Sequence, residues 1–320
     1  MPVLLLFLDG VGLGEWDPAW NPFVGARTPT LHRLLGQPLA GHDRLELDGA
    51  LLIPTDATLG VPGLPQSATG QTALLTGLNA PALVGRHVTA YPTAALRDLL
   101  ARCSLFARLA AAGRNVTLAN AYTEEYHRAV AARRLRHAAI TFAAQSAGIH
   151  LRTTDDLRRG DAIFHDLTNA HPRAWGYDLP ALTPREAGRN LARLAGAHDL
   201  TVFEFFLTDL AAHGRVSISG VEVVEMVDGL LEGILDAVGG HVTLVITSDH
   251  GNLEDARARV HTRNPVPTIV AGAARHHFRQ VAAITDVAPA ILRALDCDGG
   301  TIDEPAEAGR RDGTASGSEA

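Results

Sequence analysis

The sequence predicts an α/β domain with a mostly parallel sheet and helices on both faces. Residues 3–8 form a continuous apolar run, which is typical of a strand buried on both of its faces. Residues 201–207 and 242–247 repeat this pattern, and each of the three runs is followed within two residues by an aspartate. Helix-like segments lie between them, and strands that alternate with helices build parallel sheets.

The remaining elements follow from local signals. A further short strand is expected at 115–119, after a helical stretch that Gly113 ends. In chain order, we expect helices at 71–76, 94–112, 184–195, 221–238 and 285–295.

The alternation of strands and helices is interrupted once. Residues 122–182 are rich in arginine and histidine and mix helix and strand signals, so we interpret them as a small inserted lid. This divides the core into 1–121 and 183–298. Residues 299–320 are rich in Gly, Asp, Glu, Ala and Ser and are expected to form a disordered tail.

Composition excludes several classes of protein. The chain has 28 Lys and Arg against 35 Asp and Glu, a net charge of −7, which gives no electrostatic footprint for nucleic acid or an anionic membrane. Two cysteines, Cys103 and Cys297, cannot form a disulfide framework or a cysteine zinc site. The first apolar run of about six residues is too short for a signal peptide or a spanning helix. We therefore expect a cytoplasmic protein.

The aspartates that end the three apolar runs are the first candidate ligands. Asp9, Asp209 and Asp249 all follow predicted parallel strands, and ligands bind beyond the carboxyl ends of such strands. For Asp9 the alternative is an ordinary Asp-Gly turn.

Histidines accompany two of these aspartates. Asp209 and His213 are four residues apart and would share one helix face, which suits two ligands of one ion, although chance pairs of this kind often form only a surface hydrogen bond. His250 directly follows Asp249, whose carboxylate could instead cap the next helix. His261 begins a proline-stiffened segment, where a lone histidine is more often structural.

A hydroxyl-rich segment precedes the first predicted helix. Ser67 or Thr69 could simply cap that helix. The same position could hold a phosphate, because the backbone N–H groups and the dipole of a helix N-terminus favour anions.

Together these segments resemble the alkaline phosphatase superfamily. The ordered motifs are FLDGVG, QSATGQ, TDLAAHG, TSDHGN and HTRNPVP. They are most similar to the branch of cofactor-independent phosphoglycerate mutase and phosphopentomutase, from Val3 to about Leu295 and excluding the insertion. Two positions depart from the branch, since Gln71 replaces a usual His and Ala212 a usual Gly.

The resemblance implies a nucleophile and two divalent ions, Mn²⁺ or Zn²⁺. It selects Ser67 as the nucleophile and implies ligands in two groups, with substrate contacts nearby. One ion would be held by Asp9, Ser67, Asp249 and His250, the other by Asp209, His213 and His261, and the substrate contacts would be Arg263, Gln71 and Thr69.

The implied activity is phosphoryl transfer on a small phosphorylated metabolite through a phosphoserine. The mutases of this branch carry a large second domain where this chain has only a small insertion, so mutase and phosphohydrolase both stay open. A phosphodiesterase or sulfatase on the same scaffold and a non-catalytic metal-binding protein are the alternatives. The arginines of the insertion could clamp a substrate anion or form a solvated face. These are Arg128, Arg133, Arg134, Arg136 and Arg152.

Overall fold

A seven-stranded sheet forms the centre of the protein in a computed structural model that describes residues 1–297. Its order is β2-β3-β7-β6-β1-β5-β4. Strands β6, β1, β5 and β4 run parallel, while β7, β3 and β2 extend one side in antiparallel fashion. This confirms the predicted mostly parallel α/β class. The strands are β1 (Val3–Leu8), β2 (Leu45–Glu46), β3 (Ala50–Thr55), β4 (Val116–Leu118), β5 (Leu200–Phe205), β6 (Thr243–Thr247) and β7 (Val266–Ala271).

Helices cover both faces of the sheet. The α-helices are α1 (Pro22–Gly25), α2 (Pro29–Leu35), α3 (Ser67–Thr76), α4 (Ala80–Leu83), α5 (Ala94–Cys103), α6 (Leu105–Ala111), α7 (Glu124–Ala131), α8 (Ala139–Ser146), α9 (Thr154–Arg159), α10 (Ala170–Ala174), α11 (Pro184–Ala197), α12 (Leu207–Ala212), α13 (Gly220–Ala237) and α14 (Val287–Ala294). Short 3₁₀ helices occupy Ala273–Phe278 and Ile284–Asp286. In residues 1–297, none of the helices has both the length and the apolar character that a membrane span requires.

The continuous apolar run of β1 is explained by two cores, one on each face. Its odd-numbered side chains, Val3 to Phe7, pack with α3, α5, α6, α8 and α14. Its even-numbered side chains, Leu4 to Leu8, pack with α2, α11 and α13. Because successive side chains of a strand point to opposite faces, a strand between two cores is apolar at every position.

Helices α11 and α13 cross at very short range. A Cβ added at Gly233 would lie 2.0 Å from the carbonyl oxygen of Arg185, and one at Gly188 would lie 2.2 Å from that of Leu230. The two backbones therefore approach each other only because both positions are glycine.

Some predicted boundaries were wrong. The helix predicted at 94–112 is two helices, because Ser104 is extended (φ −65°, ψ 156°) and its side chain caps the second one. The strand predicted at 201–207 ends at Phe205, and α12 begins at Leu207. Strands β3 and β7 were not predicted. Each contains a proline, Pro54 in β3 and Pro267 in β7, and proline is more typical of a loop than of a strand.

The segment predicted as a lid contains α7 to α10. Of these, α8 contributes Ala139, Ile140 and Ala143 to the first core, so this helix is part of the main domain's packing. The role of the segment as a lid stays a prediction. The tail predicted at 299–320 lies outside the described residues.

Candidate metal centre

Three adjacent strands bring aspartates to one edge of the sheet. Asp9 directly follows β1, Asp249 comes two residues after β6, and Asp209 lies in α12, just beyond β5. Strands β5 and β6 flank β1 and run parallel to it. The carboxyl ends of all three strands therefore meet, and the structure gathers these aspartates as the strand pattern predicts.

The first cluster consists of Asp9, Ser67, Asp249 and His250. Nε2 of His250 lies 3.4 Å from Asp9 Oδ1 and 3.5 Å from Asp249 Oδ2. It is also 3.1 Å from Ser67 Oγ. Four ligand atoms placed 2.0–2.2 Å from a tetrahedral metal ion are about 3.4 Å apart, so these atoms are spaced as the ligands of one ion would be.

The second cluster consists of Asp209, His213 and His261. Nε2 of His213 lies 3.4 Å from Asp209 Oδ1 and 3.3 Å from Nε2 of His261. Nε2 of His261 is 3.7 Å from the same carboxylate oxygen. The rings of His250 and His261 stack with centroids 3.7 Å apart, so the two clusters adjoin.

Unpartnered oxygens indicate that the first cluster fits a metal ion. Asp9 Oδ1 and Asp249 Oδ2 are buried and accept no hydrogen bond. Burial raises the pKa of Asp9 well above its usual range, and the negative charge of Asp249 raises it further. Burial likewise raises the pKa of Asp249, and the charge of Asp209 adds to this effect. Buried carboxylates without partners are costly, and a bound cation would remove that cost.

The histidines are oriented to coordinate through Nε2. Nδ1 of His261 lies 2.7 Å from the carbonyl oxygen of Pro65, which makes Nδ1 the donor and leaves a lone pair on Nε2. Burial lowers the pKa of His250 and of His261, which favours the neutral imidazole that binds metals. The donor set of carboxylate, imidazole and hydroxyl suits divalent ions such as Mn²⁺ or Zn²⁺.

Ser67 begins α3, but the expected backbone site for phosphate is already occupied. The N–H groups of Ala68 and Thr69 both donate to the carbonyl oxygen of Val88. Gly70 allows the helix to approach the first cluster, because a Cβ there would lie 2.8 Å from the carbonyl oxygen of Asp249. An anion beside Ser67 would therefore depend on bound cations and not on these two amides.

The structure places two of the predicted substrate contacts away from the cavity at the metal centre. Thr69 is fully buried, and its hydroxyl donates to Gln66 and accepts from the amide of Val88. Arg263 is exposed and does not line that cavity. Gln71, by contrast, does line it.

The arginines of the insertion also separate into groups. Arg152 is bound to Thr117 and to the carbonyl oxygen of Asp161, and Arg128 is paired with Glu125. Arg136 alone among the five candidates lines the cavity. Of the five, Arg136 is therefore the one placed to contact a molecule in the cavity.

Glu254 was not predicted, yet it connects the loops that carry the ligands. Its Oε2 accepts hydrogen bonds from the backbone N–H groups of Gly12 (2.9 Å) and Asn252 (2.7 Å). Its Oε1 accepts from the hydroxyl of Thr262 and from Nδ2 of Asn264 at 3.0 Å. Through four bonds this buried carboxylate ties together the loops of Asp9, of Asp249 with His250, and of His261. The motif DHGNLE contains it, but spacing alone does not distinguish it from an exposed acid.

A cavity of about 580 Å³ opens from the two clusters. Asp9, Ser67 and Asp209 lie at its metal end, and part of the inserted segment, from Tyr122 to Trp175, supplies much of the remaining wall. Gln71 and Glu204 also line it, and Gln71 Nε2 donates to Glu204 Oε1 at 3.1 Å.

Comparisons with known proteins agree with this geometry. Residues 177–298 match the Metalloenzyme superfamily. A 2,3-bisphosphoglycerate-independent phosphoglycerate mutase of Syntrophotalea carbinolica is 35% identical over 135 residues, covering 38% of this chain and 26% of that protein. One from Prochlorococcus marinus is 34% identical over 145 residues, covering 39% and 27%. The chain thus matches about a quarter of the length of these relatives.

Solved structures extend the likeness to the whole fold. A protein from Pyrococcus horikoshii superposes with a TM-score of 0.56 at 15% identity, covering 94% of this chain and 98% of the other. The alkaline phosphatase of the Antarctic bacterium TAB5 gives 0.53 at 13% identity, covering 93% and 98%. The chain has an alkaline phosphatase-like fold, and over the matched region it is homologous to cofactor-independent phosphoglycerate mutases, as the sequence motifs indicate.

Proposed function

We propose that the chain is a phosphoryl-transfer enzyme that acts on small phosphate monoesters through Ser67 and two divalent ions, Mn²⁺ or Zn²⁺. One observation carries this proposal. A serine hydroxyl and two carboxylate oxygens lie within 3.5 Å of His250 Nε2, and the two carboxylate oxygens accept no hydrogen bond. A protein that only stored metal would not need a hydroxyl at this point.

In this proposal, the residues of the two clusters are the ligands of the two ions. Asp9, Ser67, Asp249 and His250 would hold one ion, and Asp209, His213 and His261 the other. When bound, paired divalent ions supply the positive charge that activates a hydroxyl nucleophile and neutralises the oxygens of a phosphoryl group in an in-line displacement.

The residues around the clusters keep this arrangement fixed. Asn252 donates to Asp209 Oδ1 at 2.8 Å, and Pro65 fixes the ring of His261. Ser67 Oγ, on the first turn of α3, faces the cavity and would attack the phosphorus of an ester bound there.

The fate of the phosphoserine distinguishes a phosphatase from a mutase. Water would complete hydrolysis, whereas a second hydroxyl of a retained alcohol would complete an isomerisation. The homologous region is shared with mutases, while the likeness to an alkaline phosphatase concerns the fold alone. Assays that follow free phosphate and isomerised product together separate the two reactions.

Ser67→Ala tests the proposal. With Mn²⁺ added in excess, we expect this variant to lose turnover of phosphate esters while still binding two ions per chain, as measured by metal analysis. Ser146→Ala is the matched control, because Ser146 is exposed at the end of α8 and bonds only to its own helix. Full turnover by Ser67→Ala would show that another group is the nucleophile.

A further inference from the structure

The cavity is larger and more aromatic than a three-carbon phosphate ester needs. Its volume of about 580 Å³ lies within the roughly 300–1,000 Å³ of pockets that bind drug-sized molecules. Beyond the metal end, seven of the residues in its wall carry rings. These belong to Tyr91, Tyr122, Tyr126, Phe164, His165, Trp175 and Phe206.

Two groups of rings offer flat surfaces to the cavity. Tyr122 and Tyr126 lie 4.7 Å apart between ring centroids, and His165 and Phe206 lie 4.8 Å apart. The tyrosine hydroxyls are already engaged, that of Tyr122 with Thr141 and that of Tyr126 with His137, each at 2.7 Å. With their hydroxyls engaged, these tyrosines contribute aromatic ring surface to the cavity wall, and aromatic rings bind one another by stacked or edge contacts.

Next to Ser67, the cavity offers hydrogen-bond acceptors. Gln71 is more than nine-tenths buried, and its Oε1 has no partner, while its Nε2 is held by Glu204. An unpartnered buried amide oxygen requires a donor such as a hydroxyl.

Two arginines belong to the wall of the cavity. Arg136 and Arg215 line it, and both are exposed. Arg136 lies over the ring of Tyr91, 5.5 Å from its centroid. Arg136 is therefore placed to contact an exposed part of a bound molecule.

We propose that the cavity binds a nucleoside monophosphate, with its phosphate at the metal centre, a ribose hydroxyl donating to Gln71 Oε1, and its base among the rings of Tyr122, Tyr126, Phe206 and Trp175. This inference rests on the proposed function. A flat base uses the aromatic wall, whereas a three-carbon acid has no ring to place there.

The test compares two esters of the same sugar that differ at the anomeric carbon, which carries the base in one and a hydroxyl in the other. We expect kcat/KM with Mn²⁺ to be about 10-fold higher for adenosine 5′-monophosphate than for ribose 5-phosphate, since one base stacked on aromatic side chains contributes about 1–3 kcal/mol. 3-Phosphoglycerate should be a poorer substrate than either. Equal or higher kcat/KM for ribose 5-phosphate or 3-phosphoglycerate overturns this inference and leaves the proposed function standing. Absence of turnover with every ester overturns both.

Variants of the wall give a second measurement. Tyr126→Ala should raise KM for adenosine 5′-monophosphate several-fold and leave KM for ribose 5-phosphate unchanged. Trp175→Ala gives the same comparison at a side chain that is 61% exposed, so this variant will fold even where Tyr126→Ala does not. Trp16→Ala, an exposed tryptophan outside this cavity, is the matched control and should change neither KM. An equal change for both esters in Tyr126→Ala and Trp175→Ala contradicts base stacking.

Discussion

Glu254→Gln tests whether one carboxylate holds the ligand loops together. The substitution keeps the size and shape of the side chain but replaces one acceptor oxygen by an NH₂ group. Each oxygen of Glu254 accepts two hydrogen bonds, one pair from Gly12 and Asn252 and the other from Thr262 and Asn264. In either orientation, the NH₂ group of glutamine faces two donors that it cannot satisfy.

The magnitude follows from those two lost bonds. A hydrogen bond to a charged group contributes about 1.5 kcal/mol at the low end, so the free energy of unfolding should fall by about 3 kcal/mol. With an unfolding entropy of about 2.1 cal/mol/K per residue over roughly 300 residues, this corresponds to a decrease in Tm of about 5 °C.

The assay is urea and thermal unfolding of the metal-free protein in EDTA, followed by circular dichroism. Glu15→Gln is the control, because Glu15 pairs with Arg257 at 3.3 Å with its side chain 67% exposed, and its loss should change stability by less than about 1 kcal/mol. Since Glu254 connects loops that carry Asp9, His250 and His261, Mn²⁺ affinity should fall in Glu254→Gln and not in the control. If both variants unfold at the same urea concentration and bind Mn²⁺ equally, Glu254 does not organise the site.

Two further predictions concern the crossing of α11 with α13 and the buried acid of the cavity. Gly233→Ala should lower the free energy of unfolding by about 1–3 kcal/mol, because its Cβ would overlap the carbonyl of Arg185. Gly196→Ala has open space at its Cβ and should raise the free energy of unfolding by up to about 1 kcal/mol. If the thermal unfolding of both variants shifts in the same direction, the close crossing is contradicted. Burial raises the pKa of Glu204 to about 8, so the stability that its protonated form contributes is complete below about pH 4.5 and is lost as pH rises through 8. In EDTA, the parent should therefore lose stability relative to Glu204→Gln between pH 5 and 8, and parallel pH profiles in urea unfolding would show that Glu204 titrates normally.

Much of the fold could be predicted from the sequence because its signals are local. A run that is apolar at every position, such as Val3–Leu8, describes a strand between two cores whatever surrounds it. The antiparallel side of the sheet was missed because Pro54 and Pro267 look like loop residues until they are seen paired across β3 and β7. Ser104 ends one helix and caps the next, and its periodic apolar neighbours conceal that break.

The candidate metal ligands were predictable for a different reason. Asp9, Asp209 and Asp249 each follow a strand, and parallel strands deliver their carboxyl ends to one edge, so sequence position and topology together bring the three carboxylates together. The motifs around them added His213, His250 and His261, all of which the structure places in the same two clusters.

The tertiary structure alone decided what surrounds these ligands. The contacts that matter join residues that are distant in the chain. Glu254 bonds to Gly12, Gln71 bonds to Glu204 and keeps one oxygen without a partner, and the amide of Ala68 donates to Val88. A sequence specifies which side chains follow a strand, because that relation is local. It does not by itself show which buried polar atoms find partners, because partnership depends on how loops from separate strands pack against one another.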